Sequence, residues 1–164
     1  MKRGVSMRKL FPCTALLTLV LASVQYARTT RPQEIQSQFD VKIVAPQDGS
    51  EVGKEIKVKG TASIPSSHHL WVLIHRIKGF ETVWWPQNEA SVDPRTGKWN
   101  VPVFLGSDED GGYEFEIAAI TVDDKEHLRL QKYRKEAILK NAWPPIKMPP
   151  TTFPPVYRKV RRAG

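Results

Sequence analysis

The strongest pattern in the chain is the apolar run HLWVLIHRI at His69–Ile77. Successive side chains of a strand point to opposite faces, so this run is apolar on both faces at its centre. A strand of this kind is buried on both sides and lies in the middle of a sheet. A Trp at its centre, Trp71, predicts two packed sheets in which the indole fills the gap of about 10 Å between them.

Alternating apolar and polar positions predict further strands on both sides of this central run. Turn residues separate them at 46–49, PQDG, and at 93–97, DPRTG. These sequences favour turns because Pro fixes φ and Gly accepts a positive φ. The pattern therefore predicts an all-β chain, a two-sheet β-sandwich of about seven strands. Besides the central run, the predicted strands are 39–44, 56–60, 82–85, 99–103, 113–122 and 156–160.

The apolar period changes after the strand that ends at Val122. Asp123 and Glu126 have the spacing of a capping box, and apolar residues then recur at helical spacing at Leu130, Tyr133, Ala137 and Ile138. The spacing predicts one helix, 124–140, inserted before the last strand and packed across an end or edge of the sandwich.

The segment 141–155, which follows the predicted helix, is rich in proline. It contains three Pro-Pro pairs, but no two of these prolines are three residues apart, as polyproline-reading domains require. We expect a stiff connector that leads to the last strand, within a folded domain that spans 39–162.

Residues 1–27 have the pattern of a signal peptide. A basic start precedes the apolar run Leu10–Val24, which is shorter than the roughly 20 residues of a membrane span. Cleavage after Ala22 or after Ala27 fits the pattern, with an uncleaved leader as the alternative. A polar linker, 28–38, would follow. We therefore expect a secreted, periplasmic or cell-envelope protein.

Removing this leader changes what charge and cysteine content imply. The whole chain carries a formal net charge of +8; cleavage after Ala22 removes four basic residues and leaves 21 basic against 17 acidic ones, or +4. This charge is small for a polyanion partner, so we expect no nucleic-acid binding, and membrane contact only through an uncleaved leader or the basic helix and tail. The single cysteine, Cys13, would also be removed, leaving no disulfide.

The most interesting candidate site is the pair Trp84 and Trp85. Neighbouring strand residues face opposite sides, so one indole can be buried while the other is exposed. An exposed ring could stack on a sugar, with Gln87 and Asn88 as candidates to hold its hydroxyls. The alternative is that one Trp lies in the core and the other packs under a loop or the helix.

Other polar clusters predict neither a metal site nor catalysis. His69 and His75 share a strand face about 20 Å apart, too far for one zinc ion with ligands at about 2 Å. We interpret them, with His68, as polar strand ends near solvent, and expect no metal or other cofactor. The acidic loop 106–112 lacks EF-hand spacing, and the serines near His68 and His69 lie in no nucleophile motif. We therefore expect no enzyme.

Several turn and core residues stand in a characteristic order along the chain: Ile43, Pro46, Gly49 and Val52, then Val58, Gly60 and Ala62, then Trp71, Trp85-Pro86-Gln87, Trp99, Phe104-Leu105-Gly106 and Phe115-Glu116-Ile117. This order resembles bacterial Ig-like domains, including the spore-germination-associated Ig-like type and related envelope modules. The resemblance spans about Val41 to Val122 and implies an Ig-like sandwich without the disulfide of antibody-type domains. It implies no catalytic residues. We expect a non-catalytic, exported binding or structural module of the cell envelope, with an envelope or extracellular protein or a polysaccharide as its partner. The alternative is a carbohydrate-binding module that uses Trp84 or Trp85 as a stacking platform.

Overall fold

The computed structural model describes residues 39–164, so the predicted signal peptide and linker, 1–38, lie outside the described residues. Within 39–164, no helix is both long enough and apolar enough to cross a membrane. The strands and the helix, in chain order, are β1 (Asp40–Ala45), β2 (Ser50–Val52), β3 (Glu55–Ser63), β4 (His68–Arg76), β5 (Trp85–Ala90), β6 (Lys98–Phe104), β7 (Glu114–Asp123), α1 (Asp124–Lys140) and β8 (Val156–Arg162).

The strands form two sheets, one with the order β1-β3-β6 and one with the order β2-β8-β7-β4-β5. Strand β4 pairs with β5 on one side and β7 on the other, which confirms the prediction of an interior strand. Residues 39–164 form eight strands rather than about seven. The additional strand is β2, a three-residue segment parallel to β8, too short to show an alternating pattern in the sequence.

The first core lies between the two sheets. Leu70, Val72 and Ile74 of β4 face into it, but Trp71 does not, so the prediction that Trp71 fills this gap is wrong. Trp99 of β6 lies there instead and is 3% exposed. Its ring packs against the backbone of β3 at Gly60, where an added Cβ would lie 2.3 Å from the indole. Only glycine leaves room for that contact.

The second core, called the outer core below, lies on the outer face of the five-stranded sheet. Trp71 and Leu73 are buried there, together with Leu130 of α1. Ile146 and Met148 of the proline-rich connector pack against the same cluster. The helix therefore covers a sheet face, and the prediction that it packs across an end or edge is wrong. The physical reason is that the outer face of β4 is apolar and has to be covered.

Helix α1 begins and ends where the sequence pattern predicts. The Asp123 carboxylate accepts a hydrogen bond of 2.8 Å from the backbone N–H of Glu126, which satisfies one of the free donors at the helix start. The Glu126 carboxylate binds Arg129. The helix ends at Lys140, and the capping residue Asn141 has a left-handed φ of 46°. Ile138, predicted to lie on the apolar stripe, is 54% exposed.

We expect Trp71→Ala to lower the free energy of unfolding by about 3–5 kcal/mol, as a large truncation in a packed core. The residue is 1% exposed, and its indole N–H donates to His127. Urea denaturation followed by circular dichroism measures this loss. The matched control is Leu139→Ala in α1. Leu139 is 85% exposed, so this change should alter stability by less than about 0.5 kcal/mol. Equal losses in the two variants would contradict the assignment of Trp71 to the outer core.

Candidate functional site

Strand β5 forms one edge of the five-stranded sheet, and an extra residue in it decides where its side chains point. The sequence pattern ends a strand near Trp85, whereas β5 begins there and continues to Ala90. Pro86 fits because an edge strand tolerates a missing N–H. Pairing with β4 passes from Val72–Asn88 to Leu73–Pro86, so Gln87 is the extra residue of a β-bulge.

The bulge turns Trp85 and Asn88 to the same side of the sheet, although Asn88 is three positions after Trp85. Directly opposed residues of an antiparallel pair share a face. Trp85 is opposite Ile74, and Asn88 is opposite Val72, both of which belong to the core between the sheets. An uninterrupted strand would have placed the two side chains on opposite faces.

Trp84 and Trp85 pack against different cores, on opposite faces of the five-stranded sheet. Trp84 is 6% exposed and belongs to the outer core, where its ring stacks on His75 at 4.1 Å. Trp85 is partly buried against the core between the sheets. Its indole N–H donates to the backbone oxygen of Trp143 at 2.9 Å, and Phe80 contacts the ring edge-on at 5.2 Å. Of these two indoles, only that of Trp85 is placed to meet a ligand.

Trp85 lies in a cleft of about 840 Å³ around the edge formed by β5 and β6. Most of its wall is apolar, and it opens to solvent beside Phe104 and Trp143, which are 50% and 44% exposed. Such a volume is within the usual range for a small-molecule site. The cleft is lined by aromatic and basic side chains, among them Phe80, Trp85, Phe104, Trp143, Arg76 and Arg134.

Gln87 and Asn88 line this cleft as well, but their amides join the edges of the two sheets. The Gln87 side-chain oxygen accepts from the backbone N–H of Phe104 at 2.9 Å. Asn88 donates from its side-chain nitrogen to the backbone oxygen of Pro102 at 3.3 Å. These bonds hold β5 beside β6 and fix the position of Trp85, so both amides contribute mainly to the shape of the cleft.

The two arginines of the cleft differ in their partners. The Arg76 guanidinium lies over the rings of Phe80 and Tyr113, at 4.6 and 4.4 Å, and pairs with Asp110 at 2.7 Å. By contrast, Arg134 has a buried Nε without a hydrogen-bond partner in the described part of the chain. Arg76 is therefore held in place by its partners, whereas the Arg134 guanidinium lines the cleft with one donor unsatisfied by residues 39–164.

Asp110 closes one end of this cleft. Burial opposes ionisation of its carboxyl, but hydrogen bonds from the Ser107 backbone and hydroxyl and from Arg76 outweigh it, so the pKa of Asp110 is lowered. The neighbouring Asp108 pairs with Lys54. Asp108 and Asp110 of the loop 106–112 are thus engaged in ion pairs that shape the loop.

The histidines of β4 lie in three different environments. His68 contacts the ring of Phe39 and lies 3.1 Å from the hydroxyl of its neighbour Ser67. His75 is only 7% exposed, so the interpretation of it as a polar strand end near solvent is wrong. The Trp84 ring stacks on it, and Glu116 lies 3.4 Å from its Nε2. His69 extends toward the start of α1.

At the start of α1, His69 meets residues that the sequence patterns did not single out. Its ring stacks on that of His127 at 3.6 Å, and its nitrogens lie 3.1 Å from Glu89 and 2.9 Å from Asp124. Burial lowers the pKa of His127, partly opposed by the charge of Glu89. His127 is three residues before the buried Leu130, so helical spacing could have placed it on the covered face.

The chain matches no protein-family model, and a search of curated proteins finds no match.

We expect Asp110→Asn to lower stability by about 1–2 kcal/mol at neutral pH, since it removes the charge from a hydrogen-bonded ion pair. Because the folded-state pKa of Asp110 is lowered, its ionised form stabilises the fold above the unfolded-state pKa of about 3.9. That contribution is lost as the pH falls through the folded-state pKa. The difference between wild type and variant should therefore shrink in acid.

Urea denaturation of both proteins at about pH 7 and about pH 2.5 measures this pH dependence. The matched control is Glu109→Gln, which changes an exposed acid of the same loop and should alter stability little at either pH. A difference for Asp110→Asn that is as large in acid as at neutral pH would contradict the role assigned to the carboxylate.

Proposed function

We propose that this chain is a non-catalytic, exported binding module of the cell envelope or the extracellular space, and that its partner occupies the cleft beside Trp85. The observation that carries the proposal is the cleft itself, about 840 Å³ with predominantly apolar walls. Exposed aromatic rings beside a concave surface are typical of sites that bury a ligand. The partner would be an envelope or extracellular protein or a polysaccharide.

The fold proposed for this module is an Ig-like sandwich. Its support is the two-sheet arrangement with a core between the sheets and the order of turn and core residues along the chain. Gly60 and Trp99, both part of that order, contact one another. The outer-face helix and the parallel β2–β8 pair would be additions to such a sandwich. The core would hold without a disulfide, because the only cysteine is Cys13.

A carbohydrate is the second candidate for the ligand, and Trp143 favours it. Its ring is 44% exposed at the mouth of the cleft that Trp85 lines, where a flat apolar face can stack on the C–H groups of a sugar. Arg134 adds a guanidinium whose Nε lacks a partner, which suits a sugar that carries a carboxylate or phosphate. An acidic envelope polysaccharide would satisfy both features.

The test is affinity electrophoresis of the purified domain in gels that contain acidic or neutral envelope polysaccharides. We expect acidic polysaccharide to retard the wild type. Trp143→Ala should weaken binding by about 1–3 kcal/mol, or about 5- to 150-fold, the range for removing a central aromatic contact. Arg134→Gln should weaken binding to acidic polysaccharide only.

The matched control is Leu139→Ala, which changes an exposed apolar residue of the same helix, and it should bind as the wild type does. All variants are first checked for a native circular dichroism spectrum. Polysaccharide binding that is unchanged in Trp143→Ala would exclude the cleft as a sugar site. Capture of an envelope protein that is lost in Trp143→Ala would instead identify the cleft as a protein-binding site.

A further inference from the structure

Five side chains meet on the outer face of the five-stranded sheet, away from the cleft that Trp85 lines. His69 and Trp71 are two positions apart in β4 and therefore share a face. Glu89 is opposite Trp71 in β5 and therefore points to that face too. Strand β7 pairs with β4 up to Asp123–His68, so the first turn of α1 begins directly beside His69. That turn contributes Asp124 and His127.

The hydrogen bonds of His127 decide which of its nitrogens has a free electron pair. The indole N–H of Trp71 donates to His127 Nδ1 at 3.2 Å, and an indole nitrogen can only donate. His127 Nδ1 therefore carries a lone pair rather than a proton. The same atom lies 3.7 Å from Glu89 Oε1.

His69 is held in a complementary way. Its Nε2 lies 2.9 Å from Asp124 Oδ1, and an ionised carboxylate only accepts, so Nε2 carries a proton. In a neutral imidazole the lone pair is then on Nδ1, the atom that lies 3.1 Å from Glu89 Oε1. A carboxylate that fixes the outer nitrogen of a histidine is the usual partner of a metal-binding histidine.

Three possible ligand atoms thus converge. One ligand atom each from His69, Glu89 and His127 lies within 4.8 Å of the other two. The two separations from Glu89 Oε1 are 3.1 and 3.7 Å. Ligands of a tetrahedral zinc ion, at about 2.0–2.2 Å from the metal, are separated by about 3.3–3.6 Å. The spacing fits such an ion.

We propose that His69, Glu89 and His127 form a binding site for a divalent transition-metal ion of the Zn²⁺ type, with Asp124 positioning His69. Two imidazoles and one carboxylate suit such an ion and do not suit Mg²⁺, which prefers oxygen ligands. The Glu89 and Asp124 side chains are 39% and 74% exposed, so a fourth position faces solvent. The site would join β4, β5 and the start of α1.

Binding requires two small adjustments. The rings of His69 and His127 are parallel within 9°, so one ring has to tilt before both lone pairs point at one ion. His69 is the more exposed of the two, with a side chain 24% exposed against 11% for His127. The ion also replaces the Trp71 N–H as the partner of His127 Nδ1, which should change the tryptophan fluorescence.

The experiment titrates the untagged, EDTA-treated chain with ZnCl₂ against a chromophoric chelator, and follows melting temperature and tryptophan fluorescence in parallel. We expect one Zn²⁺ per chain, a raised melting temperature because the ion binds the folded state, and no response to MgCl₂. Asp124→Asn should weaken Zn²⁺ binding by about 10-fold, as for other outer partners of a ligand, and Glu89→Gln or His69→Gln by more than about 100-fold.

The matched control is His68→Gln, which removes the neighbouring histidine and should leave Zn²⁺ affinity unchanged. Glu89→Gln keeps the size of the side chain, so its apo form should melt near the wild-type temperature and lose only the shift on Zn²⁺ addition. No stoichiometric binding by the wild type would overturn the proposal. So would equal weakening by His68→Gln and Glu89→Gln, since that result points to scattered surface histidines.

Discussion

The structure depends on the burial of both faces of β4. Five consecutive residues, from Leu70 to Ile74, are at most 2% exposed, and a strand cannot bury two faces by itself. One face is covered by the three-stranded sheet and the other by α1 and the connector. At about 25 cal/mol per Å² of apolar surface, either face left open would be a large loss for a domain of marginal stability.

Both candidate sites arise where these covers meet the edge of the sheet. Helix α1 crosses the outer face, and its first turn brings Asp124 and His127 to His69. Farther along the helix, Arg134 and Ile138 reach the cleft that Trp85 lines. One helix thus supplies residues to a polar cluster near its start and to an aromatic cleft near its end.

The sequence predicts those parts of the fold that depend on local spacing. The helix bounds follow from the Asp123 cap and the apolar period, and the interior position of β4 follows from its two apolar faces. The sequence does not predict what covers each face, because that depends on contacts between distant segments. Trp71 and Trp99 show this limit, because both are buried aromatic residues of strands. Only Trp99 lies opposite Gly60. The missing side chain of that glycine leaves room for the indole between the sheets.

The candidate sites depend on a single residue that the alternating pattern could not reveal. Without the bulge at Gln87, strict alternation from Trp85 would place Glu89 on the inner face and Asn88 on the outer one. The extra residue reverses both. Asn88 then joins β6 beside the cleft, and Glu89 reaches the two histidines under α1. A bulge is favoured at a sheet edge, where unpaired backbone groups remain solvated. The edge position of β5 therefore allows one short strand to serve two sites on opposite faces of the sheet.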